Sequence, residues 1–149
     1  MIIGFNLTRI LVEKDSTDEP KKIERVSTKT DISNISEQKI EIKEKTALKF
    51  SFTFNVDYEK NIAKIKMEGS VLYLADPKQA KEILESWKKK ELPKEIRINI
   101  INAILSKCNV KAIGLEEDLG LPTHFPLPRF QIQDEKSKEK EKSKTGYAG

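Results

Sequence analysis

The side chains that could carry chemistry in this chain are few: Cys108, His124 and the acidic triplet Glu116-Glu117-Asp118. A cysteine acts as nucleophile or metal ligand through its thiolate, which needs a helix N-terminus, a cation or a base beside it. No such group adjoins Cys108 in sequence, and it closes the apolar series Ile96, Ile100, Ile104, Cys108. It therefore reads as a small buried hydrophobe. As the single cysteine, it excludes an internal disulfide and a thiolate-rich metal site. His124 is the single histidine and stands among Pro122, Pro126 and Pro128, where packing or hydrogen bonding explains it better than catalysis. The triplet could hold a cation, but an acidic turn is the simpler account. The six glycines are scattered, so no phosphate-cradling loop is expected, and neither a nucleophile elbow nor a histidine pair is present. These residues point away from an enzyme: no catalytic residue, cofactor or metal is expected.

What remains is charge and apolar surface. Charged residues make up 35% of the chain, yet 28 bases against 24 acids leave a net charge of only +4. Such mixed charge is one signature of proteins from very hot environments. The mild balance argues against a dedicated nucleic-acid binder, which is usually more one-sided. Positive charge does gather locally at Lys88, Lys89, Lys90, Lys94 and Arg97. That group reads either as a solubilising face that suits a helix C-terminus or as a contact for phosphate, of ribosomal RNA or another polyanion. No apolar run is long enough for membrane insertion, and Met1 to Phe5 lack the features of a signal peptide, so a cytoplasmic protein is expected.

The elements that must position these groups are organised around the stretch from Thr46 to Leu74. Leu48, Phe50, Phe52, Phe54, Val56 and Tyr58 alternate with Lys49, Ser51, Thr53, Asn55 and Asp57. Successive strand residues face opposite sides, so this is a strand with one apolar and one wet face. After Glu59-Lys60-Asn61 the alternation resumes through Ala63, Ile65, Met67, Val71 and Tyr73, which predicts an antiparallel hairpin. A first strand carries Ile3, Phe5, Leu7 and Leu11 on one side and Ile2, Ile10 and Val12 on the other. A strand apolar on both sides suggests packing on both, one of them against a second subunit. Between Ile23 and Glu44 the signal weakens to one or two irregular strands.

At Leu74 the period changes to that of a helix. Asp76-Pro77-Lys78-Gln79 predicts a capped start, with Ala80, Ile83, Leu84 and Trp87 along one stripe and an end near Lys90. Pro93 opens a second helix whose stripe runs to Cys108. Beyond Asn109, Lys111-Ala112-Ile113-Gly114-Leu115 reads as a short extended piece. The segment from Leu119 to Phe130 is apolar yet held extended by Pro122, Pro126 and Pro128, so it must dock as a strap, either covering the domain's own core or lining a groove. A domain over residues 1–132, with the strap at 119–132, would then be followed by a disordered Lys/Glu-rich tail over 133–149.

This order of elements resembles the SecB-type chaperone family, in particular its archaeal SecB-like proteins. The resemblance is carried by Phe5-Asn6-Leu7-Thr8-Arg9-Ile10, by Phe50 to Val56 with Ala63 to Gly69, by Leu92-Pro93-Lys94-Glu95-Ile96-Arg97, and by Ala112-Ile113-Gly114-Leu115. It implies an α+β fold: a four-stranded antiparallel sheet with two helices packed on one side, assembled as a homodimer or homotetramer. It further implies an ATP-independent holdase whose partners are unfolded or nascent polypeptides. Client-binding residues would then be Ile40 and Ile42 before the hairpin, Trp87 on the first helix, and Leu121, Phe125, Leu127 and Phe130 in the strap. The chain departs from the bacterial export chaperones in being basic and in carrying the strap where they have a last helix, so docking to an export motor is not carried over. The alternative, from another class, is a ribosome-associated factor that binds or pairs small subunits through the basic residues 88–97.

Overall fold

The alternation from Thr46 to Ala75 folds as the sequence pattern demands. In the computed structural model, which describes residues 1–15, 22–40 and 42–128, Thr46–Tyr58 (β3) and Ala63–Ala75 (β4) pair antiparallel in unbroken register. Leu48, Phe50, Phe52, Phe54 and Val56 are buried opposite Tyr73, Val71, Gly69, Met67 and Ile65. Burying each of these large side chains contributes roughly 1.5–3 kcal/mol of transfer free energy, which makes the hairpin the base of the core. Its turn, Glu59–Asn61, holds Lys60 and Asn61 at φ 55°, a left-handed conformation in which asparagine is the more tolerant.

Two further strands, Ile2–Lys14 (β1) and Val26–Gln38 (β2), flank the hairpin and complete an antiparallel sheet in the order β1-β4-β3-β2. The weak signal from Ile23 to Glu44 thus resolves into one long strand. A register shift between Ile32 and Asn34 explains its irregular reading, because it lets Ile32 oppose Phe52 and Ile35 oppose Phe50 on the same face. The first strand shows the same device. Its register shifts between Leu7 and Arg9, so Phe5, Leu7, Ile10 and Val12 all lie opposite inward residues of β4, and Leu11 goes to the outer face opposite Lys66. The two-sided apolar pattern read from sequence is therefore mostly one-sided. At this bulge Gly69 permits a close approach: a Cβ there would run into the Asn6 carbonyl oxygen and lie 3.0 Å from Phe52 Cζ. Phe5 and Phe52 stack at 5.4 Å from strands on either side of β4, covering the gap a glycine leaves.

Helices Pro77–Lys88 (α1) and Lys94–Asp118 (α2) lie over the apolar face. Asp76 precedes α1, but its carboxylate pairs with Lys45 and no side chain caps the helix, so the expected capping box is not formed. The helix closes with the Glu91 N–H on the Ser86 carbonyl at 2.9 Å and the Lys90 N–H on that of Trp87 at 2.8 Å, with Lys90 at φ 56°.

The extended piece expected at 111–115 is helical instead. The buried series Ile96, Ile100, Ile104, Cys108 continues through Ala112 and Glu116, so the residues after Asn109 remain on the same helix. Gly114 lies on its exposed side, where glycine weakens a helix by about 1 kcal/mol without ending it. No helix among the described residues is long and apolar enough to cross a membrane. Phe130 and the expected tail over 133–149 lie outside the described residues.

Candidate functional site

A step of four residues on a helix of 3.6 residues per turn drifts slowly around the axis. The inward series of α2 therefore winds along the sheet and finishes with a carboxyl group, Glu116, that is fully buried. Glu117 and Asp118 are exposed, so the triplet is the last turn of a helix rather than an acidic loop. Acidic groups suit a helix C-terminus poorly, and Glu116 is held there by dedicated partners. Tyr58 Oη, with one proton to give, stands 2.5 Å from Glu116 Oε2 and 2.7 Å from the Pro122 carbonyl oxygen. His124 Nδ1 stands 2.5 Å from Glu116 Oε1, and His124 Nε2 lies 2.8 Å from Asn109 Oδ1. Burial raises the Tyr58 hydroxyl above its ordinary pKa, and the hydrogen bond to Glu116 and the charge of Glu116 add to the shift. Cys108, two turns earlier on the helix, is buried and its thiol is pushed up to about 11 by desolvation, as a packing residue would be.

The strap reaches this cluster through a turn at the end of α2. The Leu121 N–H donates to the Glu116 carbonyl at 2.8 Å and the Gly120 N–H to that of Glu117 at 3.2 Å, with Gly120 at φ 64°. This Schellman arrangement favours glycine at its left-handed position. Lys14 of β1 donates to the Leu119 carbonyl at 2.6 Å. Leu121 is buried in the core, while Phe125 is half-buried with its ring edge-on to His124 at 4.8 Å. The His124 ring in turn lies edge-on to Phe54, at 6.1 Å. His124 is thus the packing and hydrogen-bonding residue expected, and Tyr58, Asn109 and Glu116 are its unforeseen partners. One signal in the sequence marks Glu116: it occupies the next inward position of the series after Ala112.

The other expected site residues fall in separate places. Ile40 and Ile42 are exposed in the β2–β3 connector, beyond the Gln38–Ala47 end of the sheet. The strap lies toward the Val26–Tyr58 end, roughly 35 Å away at the usual rise per strand residue. Leu127 is exposed. Trp87 is half-buried beside edge strand β2, in a cavity of about 200 Å³ walled by Ile32, Leu92 and Ile101, with Lys90 and Arg97 at the same cavity. An apolar residue and two of the five basic residues, assigned from sequence to different partners, therefore meet at one place. Lys88, Lys89 and Lys94 are exposed outside it. At the opposite margin, a groove of about 380 Å³ runs between edge strand β1 and α2, lined by Phe5, Leu7, Val110, Gly114 and Leu115 with Lys107 and Lys111. No group of three or more His, Cys, Asp or Glu among the described residues is placed to hold a metal ion.

With its four-stranded antiparallel sheet and two helices on one face, the chain is an α+β protein. No protein-family model matches it, and no curated protein does. Among solved structures, a SecB-like chaperone of Mycobacterium tuberculosis, in complex with a ChAD peptide from the HigA1 antitoxin, is similar to it. That likeness has 15% sequence identity and a TM-score of 0.49, covering 87% of this chain and 90% of the other.

Proposed function

We propose that this protein is a chaperone-like polypeptide binder that holds extended, apolar stretches of unfolded or nascent chains without nucleotide. The observation that carries this reading is the apolar groove between edge strand β1 and α2, with a mixed apolar and charged cavity at the opposite margin, where Trp87, Leu92 and Ile101 meet Asp31, Lys90 and Arg97 under edge strand β2. An edge strand offers unpaired backbone groups to an extended chain, and the neighbouring apolar pocket takes its alternate side chains. Ile40, Ile42 and Leu127 add exposed apolar surface beyond the grooves, and Phe130 is assigned to the same role from sequence. Ile3 on β1 and Ile98 on α2 are exposed as well and suit a second copy of the chain in a homodimer or homotetramer.

The purified protein is expected to suppress aggregation of a chemically unfolded client in the absence of ATP. Trp87→Ala should weaken client binding on the order of tenfold, as loss of a buried aromatic anchor does. Trp87 is the only tryptophan, so its fluorescence reports the same event directly. The second reading, a ribosome-associated factor, is favoured by the meeting of Lys90 and Arg97 at the Trp87 cavity. Co-sedimentation with small ribosomal subunits that is lost between low and moderate salt, without any suppression of aggregation, would establish that reading in place of the first.

A further inference from the structure

The strap is fastened differently from the described strands and helices. Among the described residues, no backbone–backbone hydrogen bond reaches past Leu121. Only Leu121 is fully buried among its apolar side chains, and Pro122, Pro126, Leu127 and Pro128 are exposed. What seats it is polar: the His124 side chain, 3% exposed, against the fully buried Glu116, with Asn109 at the far side of the ring and Tyr58 against the Pro122 carbonyl. Every buried polar side-chain atom among the described residues has a partner, so the seat is specific. Polar fastenings of this kind are directional when closed, and on opening their groups exchange one set of hydrogen bonds for water. Pro122, Pro126 and Pro128 restrict the backbone on either side of a bend at residues 124–125, and Gly120, at φ 64°, marks the break in backbone direction between α2 and this segment.

We propose that residues 121–128 form a lid, latched by the Tyr58–Glu116–His124–Asn109 clasp. Its release uncovers Phe54 and frees Leu121 and Phe125 as added apolar surface for a bound polypeptide. This rests on the polypeptide-binding reading and supplies its regulation. The closed lid hides the strap's strongest apolar residues from the wrong partners, and an open lid enlarges the surface that grips an extended chain.

Two kinds of variant of the full chain separate latch from cover. His124→Gln should loosen the clasp, whereas Glu116→Leu with His124→Phe replaces it by an apolar plug that cannot exchange its bonds for water. The measurements are amide hydrogen exchange at Leu121 and the affinity for a permanently unfolded, reduced and alkylated protein. His124→Gln is expected to speed Leu121 exchange at least tenfold and tighten binding several-fold; the double variant should slow exchange and weaken binding. Should His124→Gln fail to fold by circular dichroism, Asn109→Ala, which removes only the outer bond of the ring, gives the same two readings. Faster exchange with unchanged affinity overturns the lid and leaves the polypeptide reading standing. Absence of client binding in wild type and all variants, with exchange still responding, overturns the polypeptide reading and with it the lid.

Discussion

The β3–β4 hairpin and the strap are both apolar in sequence, and they are held by opposite means. In the hairpin, almost every second residue is buried and the register is unbroken, so packing fixes each side chain through its neighbours. In the strap, one buried leucine and four polar groups do the work. Close packing gives stability that no single residue decides, whereas a hydrogen-bonded clasp gives one position and little net stability. The hairpin is therefore the scaffold and the strap the part able to change state. Substitutions in either region test this division.

The largest effect is expected at Gly69, where the hairpin meets the bulge of β1. A methyl group there must displace the Asn6 carbonyl, and it also lies 3.1 Å from Leu7 Cα and 3.0 Å from Phe52 Cζ. Backbone on one side and a stacked aromatic on the other leave no easy relaxation. Gly69→Ala should cost about 3 kcal/mol, typical of overpacking in a close-packed core, read as a lowered midpoint in denaturant unfolding. An unchanged midpoint would mean that β1 can slip its register, and that the edge beside the β1 groove is softer than the packing implies.

A smaller and more local loss is expected from Tyr58→Phe. The ring stays in the core while the hydroxyl between Glu116 Oε2 and the Pro122 carbonyl is removed. The cost should be about 1–2 kcal/mol, the worth of a hydrogen bond to a buried charged or polar group. It should appear chiefly as faster exchange in the strap, with the β3–β4 amides unaffected. Equal loss of protection in both regions would show that the clasp also braces the sheet and would erase the contrast between them.

The same contrast governs what could be read before the structure. Alternation from Leu48 to Tyr73 is a local signal, since each residue's face follows from its neighbour's, and it located both central strands to within a residue. Bulges defeat that logic: one extra residue at Thr8 or Ser33 inverts the parity, which returns Ile10 and Val12 to the face of Phe5 and Leu7 and makes the pattern of β2 irregular. The clasp was invisible for a different reason. Tyr58, Asn109, Glu116 and His124 belong to three separate segments, and nothing short of the packing of α2 on β3 brings them together. Glu116 also hid within an acidic triplet that resembles a turn, although its place four residues after Ala112 marks it as inward. The basic residues at the helix junction were legible as a group, but their meeting with Trp87 and Ile32 depends on where α1 crosses β2.

The smallest effect is expected at the binding surface. Gly114 is the counterpart of Gly69: a Cβ there would meet nothing within 4 Å. Its presence within α2 therefore has no packing cause, and Gly114→Ala should stabilise the protein by about 0.5–1 kcal/mol through helix propensity alone. Yet Gly114 also lines the groove between β1 and α2, beside Phe5, Leu7 and Leu115. If that groove seats a client side chain, the added methyl narrows it, and affinity for an unfolded chain falls although stability rises. A variant both more stable and equally able to bind would instead remove the β1 groove from the binding surface and leave the Trp87 margin, with the strap, as the functional side of the sheet.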